Sequence, residues 1–87
     1  MTPTKTLQET VELMLSNDAV DQFKAEYYQL EYRFIQLSED LLEYDLNPEN
    51  ADNRMNGERN ILSDKLGCMR NYLLAMQREA RSKNIEL

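Results

Sequence analysis

The chain of 87 residues has no histidine and no tryptophan, one cysteine, two glycines and two prolines. Without histidine, the usual nucleophilic triads and most zinc sites lack a member. Cys68 cannot close an internal disulfide and fits a reducing compartment. With no imidazole to activate it, it reads as a buried or half-buried helix residue rather than a nucleophile. Two glycines leave no Gly-rich phosphate cradle, and with two prolines they supply little turn chemistry for a sheet. No apolar run approaches the roughly 20 residues needed to span a bilayer. Met1-Thr-Pro-Thr-Lys5 is not followed by a signal-type apolar block, which predicts a cytosolic protein. No catalytic signature remains, and the chain reads as a non-enzyme.

What is present is periodicity. One apolar ladder reads Val20, Phe23, Tyr27, Leu30, Phe34, Leu37, Leu41, Tyr44, and a second reads Leu62, Leu66, Met69, Leu73, Met76, Ala80. Alternating steps of three and four keep each set on one face of an α-helix. Each ladder needs a partner helix, from the same chain or another copy. Tyr28, Ile35 and Leu42 add a line seven residues apart beside the first ladder, making the apolar stripe wider than a two-stranded coil requires. At this length a single core is thin, and oligomerisation is a common remedy.

Thr6-Leu-Gln-Glu9 has the spacing of a capping box, and Leu7, Val11, Met14 and Leu15 follow as the apolar positions of a short amphipathic helix over about 6–16. Ser16-Asn-Asp18 breaks it, with Asp18 as N-cap of the next helix, over 19–46 and roughly 40 Å long. Asn47-Pro-Glu-Asn-Ala-Asp-Asn53 and Arg54-Met-Asn-Gly57 predict a loop of about ten residues, followed by a helix over 58–83. Near-equal lengths and a short connection predict an antiparallel hairpin. Gly67 lies inside the last helix and costs roughly 1 kcal/mol relative to Ala, so it predicts close approach by another helix or a ligand. The predicted architecture is all-α and a single domain over 1–87: a short N-terminal helix, then a long antiparallel two-helix hairpin that joins a homo-oligomeric helical bundle.

The net charge of −6 is unevenly distributed. Residues 1–50 hold three cations (Lys5, Lys24, Arg33) against eleven acids, and residues 51–87 hold seven cations against five. An acidic and a basic helix attract each other within or between hairpins, or some of the cations face a phosphate. Glu9 and Glu12, or Glu39, Asp40 and Glu43, have the helical spacing of a magnesium cage, but the last helix offers only Asp64 and Glu79 for the other half. A solvated acidic face is the simpler reading, and no metal site is expected.

Five tyrosines stand in a chain otherwise poor in aromatics. Tyr27, Tyr44 and Tyr72 lie on or beside the ladders, where core packing is the default. Tyr28 and Tyr32 lie one turn apart on a flank beside Lys24, pairing a ring able to stack on a base with a cation able to meet a phosphate. Arg59, Arg70 and Arg81 recur every eleven residues along one side of the last helix, with Ser63 and Gln77 nearby, as either a salt-bridge seam or a ligand stripe.

Ala25-Glu-Tyr-Tyr-Gln-Leu30 with Arg33 and Leu37, then Cys68-Met-Arg-Asn-Tyr-Leu73 with Met76 and Ala80, and a final Asn84-Ile-Glu-Leu87, resemble a family of small phage proteins. That family carries an A-E-Y-x-Q-L-x-x-R-[FY]-x-x-L segment, a variable loop, and an A-M-x-x-Y-L-x-x-L-x-x-R-A-x-x-x-G-I-x-L ending. The likeness covers residues 20–87. Cys68 replaces the Ala, Glu79 stands where the family's Arg precedes Ala80, with Arg78 one residue earlier, and Asn84 replaces the Gly. Asn tolerates the left-handed helix terminus that this Gly provides.

The family is similar in turn to the helical-hairpin sponges that phages deploy against cyclic-nucleotide immune signalling, the anti-CBASS and anti-Thoeris proteins. The resemblance implies a dimer or hexamer that sequesters cyclic di- or trinucleotides between protomers in the host cytosol, without cleavage. It carries over no individual ligand residue. On physical grounds Lys24, Tyr28, Arg70 and Arg78 are the expected phosphate or base contacts, with Arg33 and Arg81 behind them. No cofactor or membrane partner is expected, and DNA binding is disfavoured because the first half is strongly acidic. The alternative is an acidic helical inhibitor or adaptor that binds a host protein; a metal-dependent nucleotide hydrolase comes last.

Overall fold

A computed structural model of the chain describes residues 2–47 and 53–87, with backbone alone over residues 53–57. A 3-10 turn, Gln8–Thr10, runs into the short helix α1, Val11–Leu15; the long helices α2, Ala19–Leu46, and α3, Asn53–Ser82, follow. Among the described residues there is no strand. None of these helices is long and apolar enough to cross a membrane.

The ends of the elements follow from local chemistry. The amide of Glu9 donates to Thr6 Oγ1 and the amide of Thr6 to Glu9 Oε1, both at 3.3 Å, which closes the expected capping box. The Thr6 amide, and the Thr6 hydroxyl at 3.0 Å, both donate to the Glu9 carboxylate and hold it below its ordinary pKa. Ser16, in extended conformation, ends α1. Asp18 then accepts from the Val20 amide at 2.8 Å and starts α2, whose bounds match those expected. Asn47 is extended, as a residue before proline must be, and α2 stops there. At the end of α3, Asn84 takes the left-handed conformation with φ 57°. The amide of Ile85 then reaches the Ala80 carbonyl at 2.8 Å, and that of Asn84 reaches the Arg81 carbonyl at 3.3 Å. Together they form a Schellman stop.

Two elements depart from expectation. Residues 53–57, expected in the loop, are the first turns of α3. No proline lies there to block the helix, whereas Pro48 stands five residues upstream. Of the expected loop, residues 48–52 lie outside the described residues. At the other end, the segment expected as a helix over 6–16 is a 3-10 turn plus five helical residues. The tighter turn advances each side chain by about 120° instead of 100°. Leu7, Val11, Met14 and Leu15 consequently point outward, Leu15 with 76% of its surface exposed, while Thr10 and Leu13 turn inward. Thr10 is fully buried because its hydroxyl is satisfied twice, donating to the Leu7 carbonyl at 2.6 Å and accepting from Gln29 Nε2 at 3.1 Å.

α2 packs against α3 on one side and against α1 on the other. Arg59 near the start of α3 pairs with Asp45 near the end of α2. Toward the other end, the Tyr72 hydroxyl donates to Glu26, and Gln77 Nε2 donates to the Tyr27 hydroxyl at 2.8 Å. The core cluster is Tyr27, Tyr28, Leu73 and Met76, flanked by Leu13, Phe23, Leu30 and Phe34. The ladders therefore do meet, but unevenly. Leu73, Met76 and Ala80 are buried while Leu62, Leu66 and Met69 are half-buried, and Leu42, Leu46 and Ile61 are largely exposed. Burial is deepest where α1 adds a third helix.

Gly67 meets nothing: a Cβ placed there would have no atom within 4 Å. Within one chain the glycine relieves no contact, contrary to the close approach its position suggested. Gly67→Ala is expected to stabilise the chain by about 0.5–1 kcal/mol through the unfolded state, raising Tm by several degrees in a circular-dichroism melt. A lowered Tm would show that another copy or a ligand does approach at this position.

Candidate functional site

The principal cleft forms where three parts of the chain converge over the core. The wall from α2 consists of Tyr27, Tyr28 and Glu31; α3 supplies Gln77, Ala80 and Arg81. Thr4 closes one side and the tail residues Ile85 and Leu87 the other, enclosing about 470 Å³. That size lies within the roughly 300–1,000 Å³ usual for small-molecule sites, and the lining is open and more polar than apolar.

Some of the polar groups are placed by specific contacts, and others keep their hydrogen-bonding capacity. The Thr4 amide donates to Glu31 Oε1 at 2.8 Å and ties the N-terminal segment to α2. Lys5 Nζ then lies 5.7 Å from the centroid of the Tyr28 ring, within cation–π range. Tyr27 and Tyr28, adjacent on α2, meet edge to face at 5.7 Å and 76°, so one faces α3 and the other the N-terminal segment. Tyr28 is 6% exposed and its hydroxyl makes no hydrogen bond among the described residues. No buried polar side-chain atom there is left without a partner, so this hydroxyl opens onto the cleft. Burial, and then the nearby Glu31 carboxylate, push the Tyr28 phenol above its ordinary pKa. It is therefore a neutral donor and acceptor at neutral pH. Arg81 has no side-chain hydrogen bond or ion pair among the described residues, and its guanidinium is free to meet an anion.

The structure brings two of the six expected contact residues, Tyr28 and Arg81, into this cleft. Arg78 joins Arg81 in a separate groove along α3 with Asn71 and Leu74. Arg33 lies elsewhere, in a small pocket with Glu26, Gln29, Leu30 and Tyr72. Lys24, half-buried, and Arg70, exposed, are in none of these three pockets. None of these four cations has an ion pair among the described residues.

The arginine stripe divides by role. Arg59 is a helix–helix tie, with Nε on Asp45 Oδ1 at 2.6 Å and an Nη on Oδ2 at 2.9 Å. This bond holds the Asp45 carboxyl below its ordinary range. Arg70 and Arg81 make no such tie among the described residues. Two tyrosines also exchange expected places. Tyr28, expected on an open flank, is core, while Tyr72, expected beside the ladder core, is half exposed with its hydroxyl on Glu26.

Glu31 and Thr4 were missed by the sequence reading. Glu31 stands one turn from Tyr27 and Tyr28, so its place on their side of α2 was recoverable from spacing. Nothing local signalled Thr4, whose position depends on the N-terminal segment folding back over α2. No group of three or more His, Cys, Asp or Glu side chains able to hold a metal converges among the described residues.

Tyr72 is also raised in pKa, first by its hydrogen bond to Glu26 and then by that carboxylate's charge. For both Tyr28 and Tyr72 the folded state disfavours the phenolate. Their contribution to stability is whole below the ordinary tyrosine pKa of about 10 and is lost as pH rises through the raised values. Ultraviolet titration should show late phenolates from Tyr28 and Tyr72. Tyr28→Phe and Tyr72→Phe should each remove one of them, and uniform titration near 10 would contradict the placement. Comparison with protein-family models, with curated protein sequences and with solved structures finds no match to this chain.

Proposed function

We propose that the chain is an antiparallel helical hairpin that assembles with copies of itself and sequesters cyclic di- or trinucleotide immune signals without cleaving them, as a phage anti-defence protein acting in the host cytosol. The observation that carries this reading is the cleft itself, where Tyr27 and Tyr28 underlie a wall bearing the unpaired guanidinium of Arg81. The neutral Tyr28 hydroxyl and an arginine without an ion pair among the described residues are parts able to hold a nucleobase and a phosphate. The reversed pairing of α2 and α3 partners, Asp45 with Arg59 and Glu26 with Tyr72, supports the antiparallel hairpin.

Self-association is supported by apolar surface that one chain leaves uncovered. Leu7, Val11, Met14, Leu15 and Val20 form one exposed group around α1. Leu42, Leu46 and Ile61, exposed by 59%, 73% and 61%, lie at the far ends of the long helices. Burying such side chains contributes about 1.5–3 kcal/mol each, which rewards a second copy.

A second reading, an acidic inhibitor or adaptor for a host protein, draws on Glu39, Asp40 and Glu43. These are exposed on α2 and without an ion pair among the described residues. A basic partner surface would complement them.

Thermal shift of the purified chain against cyclic di- and trinucleotides separates the two readings. Ligand at a hundredfold excess over Kd adds about 2.7 kcal/mol to the folded state, and the ligand should be recovered intact after denaturation. Arg81→Ala should reduce the shift, whereas Arg70→Ala, outside the cleft, should not. In sedimentation the protein should run as more than one chain. A monomer with no shift would abandon sequestration and leave the host-protein reading.

A further inference from the structure

Glu31 is the one acidic side chain lining this cleft among the described residues, and its setting constrains what can lie there. Its Oε1 accepts from the Thr4 amide, which fixes the carboxylate against the end of the N-terminal segment. Oε2 has no partner among the described residues, and an ionised carboxylate only accepts hydrogen bonds. Arg81, a fork of donors, lines the same cleft. Any occupant must therefore turn donors toward Glu31 and negative charge toward Arg81.

From this polarity we infer that the cleft reads guanine, with Glu31 as the base-recognising group and Arg81 as the phosphate-recognising group. The inference rests on the nucleotide-sequestration reading above and narrows its ligand class. Guanine alone among the common bases carries two adjacent donors, N1–H and the N2 amino group, on its Watson–Crick edge, and these match the two oxygens of the carboxylate, Oε2 unpartnered among the described residues and Oε1 keeping a second lone pair beside the Thr4 bond. Adenine and cytosine each set a ring-nitrogen acceptor beside their amino donor, and uracil flanks its one N–H with carbonyl oxygens. Each of these puts a lone pair against the Glu31 carboxylate, and that repulsion is what discriminates. The neutral Tyr28 hydroxyl beside Glu31 adapts as donor or acceptor and leaves the choice to the carboxylate. The same negative charge repels a phosphate from the Glu31 side and directs it to Arg81, giving the bound nucleotide one orientation.

Isothermal calorimetry on the full chain with cyclic di-GMP and cyclic di-AMP tests this. The parent protein should bind the guanine ligand at least about tenfold more tightly. This is below the discrimination of fully enclosed sites because Glu31 is half-buried. Glu31→Gln keeps a carbonyl oxygen for Thr4 and adds an amide donor, which suits adenine's paired donor and acceptor. That variant, with helicity unchanged by circular dichroism, should lose the guanine preference or reverse it. Equal affinities in the parent, or a guanine preference that survives Glu31→Gln, would overturn the assignment and leave sequestration standing. Binding of neither ligand, nor of any other cyclic oligonucleotide, would overturn both.

Discussion

The structure depends on one packing event: Tyr27 of α2 closing against Leu73 and Met76 of α3 while Tyr28, its neighbour, is covered from the opposite side. Adjacent residues on a helix are separated by about 100°, so two consecutive buried tyrosines require cover over a wide arc. α3 alone cannot supply it. The N-terminal segment and α1 must fold back over α2, and they are held there by polar contacts rather than by a large apolar face. Thr4 on Glu31, Lys5 over the Tyr28 ring and Gln29 on Thr10 are the contacts that do so.

That arrangement also creates the cleft. At this end α2 and α3 supply the walls, and the Schellman turn after Ser82 brings Ile85 and Leu87 alongside them. A helix ending without a left-handed residue would carry the tail away, so the conformation of Asn84 contributes directly to the shape of the site. The polar groups within it divide naturally. Gln77 and Tyr27 are already bonded to each other, whereas Tyr28, Arg81 and one oxygen of Glu31 retain unused hydrogen-bonding capacity among the described residues. Such residual capacity is what a bound molecule can use.

The opposite end of the molecule is thinner. There α2 and α3 meet without a third element, their ladder residues are half-buried, and the pair is tied by the exposed ion pair of Arg59 and Asp45. An exposed pair of this kind orients more than it stabilises. The uneven core and the outward-facing apolar residues of α1 have the same origin, a chain too short to surround its own helices. The proposed self-association follows from that shortage, and the proposed ligand site from the end where it is least severe.

Much of the fold was legible in the sequence. Spacing located α2 to the residue, Asp18 and the Thr6–Glu9 box marked helix starts, and Asn84 marked a stop. Each of these is a local matter of backbone valence, satisfied within a few residues. The register of α1 was not legible, because a single 3-10 turn rotates every following side chain and leaves no mark in the apolar pattern. The site was half legible. Tyr28 and Arg81 were singled out by type and position, but Lys24, Arg33, Arg70 and Arg78 resembled them equally in sequence. The chain by itself determined which faces are apolar and where the helices begin and end. Tertiary structure decided which cations share a cleft with a buried ring, because that depends on the angle at which distant segments pack, and no residue encodes that angle alone.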